Sequence, residues 1–193
     1  NGTASKAYSF DGNLDYIEIP HSNTFNFHST DYSLSMWMRY PRQTNANWDY
    51  GAVFIKSGRT TGDFGGVTVF VDDPANTVRH RLSKTEQLDH TDATLTDNQW
   101  RHYVFHKSGN TISTYINGEM VANREVTVLD TYKNTSEAVI GANHANRAYQ
   151  NFTGAIDEIR LYNRALSAAE VSRLNVLEAP PPPSISAQPL GAT

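Results

Sequence analysis

The chain has 193 residues, a length that fits one all-β domain. Of these residues 38% are hydrophobic and 11% aromatic, which is enough for a sizeable core. Its net charge is −4 and its basic residues are dispersed, which argues against nucleic acid as a partner. The sequence contains no run of about 18 apolar residues, so no membrane-spanning helix is predicted. The lack of cysteine excludes thiol catalysis, thiolate metal sites and disulfides.

Short alternating segments, separated by turns rich in Gly, Asn, Asp, Ser and Thr, make up most of the chain. They predict strands over residues 7–10, 16–19, 33–40, 52–56, 66–71, 78–83, 100–107, 111–117, 137–140 and 153–162. The clearest alternation lies in residues 33–40, with one face formed by Leu34, Met36, Met38 and Tyr40 and the other by Ser35, Trp37 and Arg39. About ten short strands with almost no helical periodicity predict two packed antiparallel sheets.

One short helix is predicted near the C-terminal end of this region. Ser167 and Glu170 have capping-box spacing, in which the hydroxyl and the carboxylate each satisfy a backbone N–H of the first turn. The helix is expected over residues 168–174, with Val171 and Leu174 packed against the sandwich.

The character of the sequence changes at Glu178. Residues 179–183 include four consecutive prolines, which form a stiff, extended spacer. Residues 184–189 resemble the opening strand of bacterial immunoglobulin-like domains. We therefore divide the chain into a sandwich domain at 1–178 and a Pro-rich linker with the truncated start of an immunoglobulin-like module at 179–193. Because the chain starts at Asn1 without Met and has no cysteine, we expect a piece of a larger exported protein, bacterial in origin.

Four stretches in order resemble the bacterial laminin-G-like, concanavalin A-like domains: residues 8–20, 34–39, 99–118 and 140–167. The last is the most specific, because it carries Gly-Ala-Ile-Asp-Glu at 154–158. The resemblance implies a two-sheet antiparallel jelly-roll sandwich with one short C-terminal helix. This architecture is shared by lectins, glycan-binding modules, glucanases, lyases and protein-binding laminin-G modules, so it does not by itself identify a ligand.

The spacing of the carboxylates argues against a glycoside hydrolase. Glucanases on this fold place their catalytic carboxylates on one face of a strand, whereas Asp157 and Glu158 are adjacent and point to opposite faces. A lyase site is the weaker alternative, because His102 and His106 share a strand face and either Arg39 or Arg101 is conceivable nearby. The protein is therefore expected to be non-catalytic.

An acidic turn near the start of the chain is a possible metal site. Asp11, Asn13 and Asp15 can supply several of the oxygen ligands that calcium takes, and Asp157 on the last strand could contribute from across the sheet. This predicts a structural calcium ion. The alternative is a turn in which the side chains bond to their own backbone.

Sugar recognition requires aromatic rings that stack on the sugar and polar groups that bind its hydroxyls. The polar loop 43–51 carries Trp48 and Tyr50, with Asn47 and Asp49 as hydroxyl partners. A Trp side chain in a loop exposes apolar surface to solvent unless another group covers it. Trp48 is therefore either a platform for stacking on a sugar or a residue that folds back over the edge of the sandwich.

Further ligand candidates lie in a second loop and on the strands. The loop 143–151 contributes His144, Arg147 and Tyr149. On the strands, Trp37 is either a structural residue or a ligand platform, and Arg39 and His102 accompany it. Weaker candidates, on a strand that could line the same face, are His80, Arg79 and Arg81. The groups that would suit an anionic glycan such as a uronate or sulfated polymer are Arg39, Arg79, Arg147 and Lys56.

The sequence is thus interpreted as a monomeric, non-catalytic carbohydrate-binding or adhesion module of a larger secreted or cell-surface protein. Its expected partners are a polysaccharide or glycan and the adjacent domains of the same chain, and not nucleic acid or membrane. The alternatives are a protein-interaction or structural spacer module and, after it, a polysaccharide lyase or hydrolase.

Overall fold

Twelve strands and one α-helix form the part of the chain that the computed structural model describes, which is residues 7–25, 27, 30–42, 50–58, 65–83, 85–127, 134–143 and 150–178. The strands are β1 Tyr8–Asp11, β2 Ile17–Ile19, β3 Tyr32–Arg39, β4 Tyr50–Ser57, β5 Gly66–Asp72, β6 Thr77–Arg81, β7 Gln87–Thr91, β8 Arg101–Ser108, β9 Thr111–Ile116, β10 Glu119–Glu125, β11 Ala138–Ile140 and β12 Thr153–Tyr162. A single 3₁₀ turn spans Asn23–Phe25, and α1 spans Ala168–Glu178.

The strands form two six-stranded sheets, and every neighbouring pair of strands is antiparallel. The first sheet has the order β1-β12-β3-β8-β9-β10, and the second has the order β2-β11-β4-β5-β6-β7. Near the beginning and the end of the chain, successive strands lie in alternate sheets, as in a jelly roll. This confirms the predicted all-β sandwich with one short C-terminal helix.

The core lies between the two sheets and follows the predicted alternation. The inner face of β3 is formed by Leu34, Met36 and Met38, and Tyr40 follows on the same side. They join one cluster with Tyr103 and Phe105 of β8 and with the β5, β6 and β7 residues Val69, Val71, Val78 and Leu88. Because residues at i and i+2 share a strand face, the side chains between them point away from this core.

The helix covers the outer face of the first sheet. Its capping box is confirmed, because Glu170 N–H donates to Ser167 Oγ (3.3 Å) and Ser167 N–H donates to Glu170 Oε2 (2.9 Å). The helix continues to Glu178, beyond the predicted end at residue 174. Val171 is buried and Leu174 is half-buried against Val104 of β8, as the sequence predicts.

Ser33 fastens the segment before the helix to β3. Its Oγ accepts a hydrogen bond from Leu166 N–H (2.9 Å) and donates one to the carbonyl of Arg164 (3.0 Å). A buried hydroxyl that satisfies two backbone groups on another segment fixes that segment in place. The outer face of the first sheet is therefore closed over β8 and β9.

Two edge strands, β7 and β10, were not predicted from the sequence. Strand β10 is exposed along almost all of its length and has a bulge between Met120 and Ala122, while β7 buries Leu88 alone. An edge strand needs little apolar surface and is often charged, so neither strand shows the apolar alternation used to find the others.

Candidate functional site

The outer face of the second sheet carries a pocket of about 270 Å³. It is lined by Tyr50, Ile55, Ser57, Thr68, Phe70, Arg79, Arg81, Asn143 and Gln150. No helix among the described residues packs over this face, in contrast to the first sheet. The pocket therefore lies on the side of the sandwich that α1 does not cover.

Strand alternation and one bulge bring these side chains to the same face. Thr68 and Phe70 of β5 alternate with the core residue Val69. On β4 the bulge between Ala52 and Phe54 inserts an extra residue into the strand. Because the bulge reverses the alternation, the even-numbered Tyr50 and the odd-numbered Ile55 and Ser57 all face the pocket.

The pocket has a buried floor and a polar rim. The floor is formed by Ile55, Ser57, Thr68 and Phe70, each of which is buried. The rim is half-buried and is formed by Tyr50, Arg79, Arg81, Asn143 and Gln150. A buried floor that combines two apolar side chains with two hydroxyl groups, surrounded by planar polar groups, suits a small polar ligand.

Arg79 is held rigidly by the neighbouring strand. Its Nε and Nη2 donate to the two carboxylate oxygens of Asp89 on β7 (2.8 and 3.0 Å), and Nη2 lies 4.0 Å from Asp72 Oδ2. Its Cζ lies over the Tyr50 ring, 5.2 Å from the centroid. The Asp89 hydrogen bonds raise the pKa of Arg79 above its ordinary value, so its charge is firmly maintained.

Arg81 lies next to Arg79 on the same face of β6. Its Nε donates to Thr68 Oγ1 (3.3 Å), and its Cζ lies over the Phe70 ring, 5.1 Å from the centroid. Burial lowers the pKa of the Arg81 guanidinium from its usual range, and the positive charge of Arg79 lowers it further. The pocket thus holds two stacked guanidinium groups side by side.

The remaining rim residues lie on either side of residues 144–149. Asn143 Nδ2 donates to Gln150 Oε1 (2.6 Å), and the carbonyl of Gln150 accepts a hydrogen bond from Ala52 N–H of β4 (2.7 Å). These bonds join Asn143 to Gln150 and Gln150 to β4. The predicted ligand residues His144, Arg147 and Tyr149 of this segment lie outside the described residues, as do Asn47, Trp48 and Asp49 of the other loop.

Three of the predicted ligand residues, Trp37, Arg39 and His102, lie on the first sheet, on the opposite side of the sandwich from Tyr50. Trp37 is 6% exposed and its ring lies 5.6 Å from that of His102, so it is packed into the structure. Arg39 lies over the Trp100 ring, with its Cζ 5.5 Å from the centroid. The structure does not bring these residues together with the pocket.

His102 is fully buried and its Nε2 lies 2.8 Å from Ser35 Oγ. Burial, followed by the charge of Arg160, lowers the pKa of His102 to about 4. His106, its predicted companion in a lyase site, is buried as well and packs against the Tyr115 ring. Neither imidazole is accessible to a polymer chain in this conformation.

The acidic turn at residues 11–15 is closed by its own backbone. Asp11 Oδ1 accepts from Asn13 N–H (2.7 Å) and Asp15 Oδ2 accepts from Asp11 N–H (3.0 Å). Asp11 pairs with Thr153, so Asp157 lies four residues further along β12, about 13 Å away at roughly 3.3 Å per residue. Among the described residues no group of three or more acidic or histidine side chains could hold a metal ion. Calcium at this turn stays a prediction.

Of the weaker candidates on β6, Arg79 and Arg81 line the pocket, whereas His80 lies between them on the opposite face, buried in the core beside Tyr32. The sequence analysis did not single out Phe70, Thr68 or Ile55. Their signal was the alternation of residues 66–71, in which every second residue must face away from the core. Lys56, another predicted cation, points to the other side of β4. Its Nζ donates to Asn134 Oδ1 (2.7 Å), and burial lowers its pKa to about 8.

Two antiparallel sheets packed face to face, with a helix over the outer face of the first, define a jelly-roll sandwich. The chain belongs to the concanavalin A-like lectin/glucanase superfamily, whose family model matches residues 11–172. This confirms the family inferred from the four sequence stretches. A search of curated proteins found no match. Among the described residues, no helix has both the length and the apolar character to cross a membrane.

Solved structures share the fold at low identity. The binding domain of Paraclostridial Mosquitocidal Protein 1 is 20% identical with a TM-score of 0.69, and the match covers 90% of this chain and 44% of that one. The binding domain of Botulinum Neurotoxin DC in complex with SialylT is 14% identical with a TM-score of 0.67, covering 92% and 43%. Trypanosoma rangeli sialidase is 16% identical with a TM-score of 0.67, covering 89% and 27%. The chain therefore spans less than half of each of these proteins.

Proposed function

We propose that the protein binds a glycan, without cleaving it, in the pocket on the outer face of the second sheet. In this proposal it acts as a monomeric binding or adhesion module of a larger secreted protein. The observation that carries the proposal is the pocket itself, in which aromatic rings and planar hydrogen-bonding groups lie together on the outer face of the second sheet.

The pocket provides what a sugar ring needs. Tyr50 on the half-buried rim offers the ring surface that Arg79 does not cover to the C–H face of a pyranose, and the buried Phe70 ring supports Arg81 from the floor. Arg79, Arg81 and Asn143 lie around it and can bind hydroxyl groups. Lectin-type folds host many functions, so the support comes from this arrangement of side chains and not from the fold alone.

A binding role without catalysis is supported by the chemistry of the lining. Glycoside hydrolysis usually needs two carboxyl groups about 5–10 Å apart across the scissile bond. Among the described residues that line the pocket there is no Asp or Glu. Two of the solved structures that share the fold are binding domains, and one of these is in complex with SialylT.

The test is a glycan panel with a matched pair of variants. Tyr50→Ala should weaken binding roughly tenfold, because stacking and burial of one ring contribute about 1–1.5 kcal/mol. Tyr8→Ala is the matched control, since Tyr8 is 58% exposed on β1 of the other sheet. Circular dichroism verifies that both variants fold.

Three outcomes would contradict the proposal: no member of the panel is bound, Tyr50→Ala binds as tightly as the wild type, or Tyr8→Ala weakens binding equally. The first would favour the protein-interaction or spacer role. Turnover of any bound glycan would overturn the non-catalytic part.

A further inference from the structure

We infer that Lys56 and Asn134 react with each other to form an intramolecular amide bond, which cross-links the end of β4 to the segment before β11. The inference is independent of glycan binding, because Lys56 points to the side of β4 opposite the pocket. It is carried by the arrangement of an amine, a carboxamide, a backbone N–H and a carboxylate at this end of the strand.

Lys56 lies at the edge of the core, where an ammonium group is costly. It shares a face of β4 with the core residue Phe54 and pairs across the sheet with Val67, which also belongs to the core. Only 2% of the residue is exposed. Burial lowers the pKa of Lys56 to about 8, although the charge of Glu137 opposes this shift. Near neutral pH a fraction of the molecules therefore carries a neutral amine, which is the nucleophilic form.

The carboxamide of Asn134 lies against this amine. Lys56 Nζ is 2.7 Å from Asn134 Oδ1 and 3.3 Å from the backbone carbonyl oxygen of Asn134. Because a C=O bond is about 1.23 Å long, Asn134 Cγ lies no more than about 3.9 Å from Nζ. Rotation about the Cε–Nζ bond turns the lone pair of the neutral amine towards Cγ, at a separation close to that of a near-attack geometry.

Two backbone groups hold the carboxamide in place. Ser136 N–H donates to Asn134 Oδ1 (3.2 Å), and Asn134 Nδ2 donates to the carbonyl of Gly65 (3.4 Å). Attack at Cγ places negative charge on Oδ1, and a fixed N–H directed at that oxygen stabilises the charge. The bond to Gly65 orients Nδ2, which is the group that must leave. The site thus combines a nucleophile, a donor to the developing charge and an oriented leaving group.

The groups at the site account for every atom of the reaction. Lys56 Nζ forms a bond to Asn134 Cγ, and the resulting negative charge rests on Oδ1. One proton of Nζ passes to Nδ2 by way of the carboxylate of Glu137, whose charge raises the pKa of Lys56. The Cγ–Nδ2 bond then breaks, the carbonyl group forms again, and Nδ2 leaves as ammonia. The exchange of one amide for another changes no oxidation state.

The cross-link gives a covalent closure to a chain that has no cysteine and so forms no disulfide. Lys56 and Asn134 are 78 positions apart, and the strands β5 to β10 lie between them. Covalent closure of a long loop stabilises a fold mainly by restricting the unfolded chain. Strand β4 also carries Tyr50 and Ile55 of the pocket, so the cross-link secures the strand that supports the candidate ligand site.

The test is the mass of the purified chain under denaturing conditions. We expect the wild type to be lighter than its sequence by one ammonia. A protease digest should contain one branched peptide that joins the segment with Lys56 to the segment with Asn134. The branched peptide is required as proof, because a succinimide at Asn117-Gly118 would also lose one ammonia.

Variants of the two reacting residues, Lys56→Arg and Asn134→Ala, should each have the full mass of their sequence. Lys107→Arg is the matched control and should keep the loss of ammonia. Lys107 is also buried at the end of a strand and burial lowers its pKa, but its Nζ lies near the Thr30 carbonyl (3.4 Å) and the Asp31 carboxylate (3.9 Å).

Glu137→Gln tests the proton transfer. This variant should form the bond about a hundredfold more slowly than the wild type, as expected for the loss of a general acid–base group. The linked fraction is followed by mass after refolding from denaturant, and circular dichroism verifies that both chains refold. Equal rates would refute the role of Glu137.

A wild-type mass equal to that of the sequence refutes the cross-link, and Lys56 then only donates hydrogen bonds to Asn134. A loss of ammonia that persists in Asn134→Ala, or a digest without the branched peptide, refutes it as well. The wild-type mass alone can overturn the inference, so the test does not depend on the stability of any variant.

Discussion

His80 is expected to make the fold sensitive to acid. It is fully buried in the core, with Nε2 2.6 Å from the Tyr32 hydroxyl, and burial, followed by the nearby His106, lowers its pKa from 6.5 to about 3. Between these values the unfolded chain binds a proton that the folded chain does not, so stability is complete above pH 6.5 and is lost as the pH falls. From pH 7 to 4.5 the loss due to His80 is about 2.5 kcal/mol, at roughly 1.4 kcal/mol per pH unit below 6.5.

The perturbation is His80→Gln, which removes the titration and keeps a polar partner for Tyr32. The free energy of unfolding is measured by urea titration at pH 7.0 and 4.5, with tryptophan fluorescence as the signal. The variant should be less stable at pH 7, yet its loss between the two pH values should be about 2.5 kcal/mol smaller than that of the wild type. His90→Gln on β7 is the control. Equal losses in His80→Gln and wild type would refute the reasoning.

Three other results are expected in thermal melts. Gly141→Ala should lower the melting temperature strongly, because Gly141 has φ +90° and an added Cβ would clash with the Phe10 ring; an unchanged melt would contradict this. Ser33→Ala should cost about 2 kcal/mol, because it leaves two backbone groups before α1 without their buried partner, and a loss under about 0.5 kcal/mol would refute that role. If the turn at residues 11–15 holds calcium, chelation should lower the melting temperature by several degrees. Identical melting curves with chelator and with added calcium would contradict the predicted calcium site.

The parts of the fold that could be predicted from the sequence are those determined locally. The alternation in β3 follows from the two-residue period of a strand, and Leu34 and Met36 face the core as that period requires. The start of α1 follows from the capping box at Ser167 and Glu170, whose hydrogen bonds form within one helical turn. Both signals span only a few residues, so neither depends on the rest of the chain.

The pocket depends on register, which the sequence does not display. Tyr50 and Ile55 face the same way only because of the bulge between Ala52 and Phe54, and no residue type in β4 marks it. Likewise, Asp89 neutralises Arg79 only because β6 and β7 pair with these two residues opposite each other. Strand β7 itself has no apolar alternation, so the carboxylate that pairs with Arg79 lies on a strand that was not predicted.

The two outer faces of the sandwich should respond differently to mutation, and the difference follows from how each is covered. On the first sheet, Val104 lies beneath Val171 of the helix and Trp37 packs on His102, so these side chains are already buried by the protein itself. Substitutions there change the free energy of unfolding, because they remove contacts inside the fold. On the second sheet, the half-buried rim at Tyr50 and Arg81 contacts less of the protein. Substitutions at this rim should therefore change ligand affinity more than stability, which is the relation expected of a binding surface carried on a rigid support.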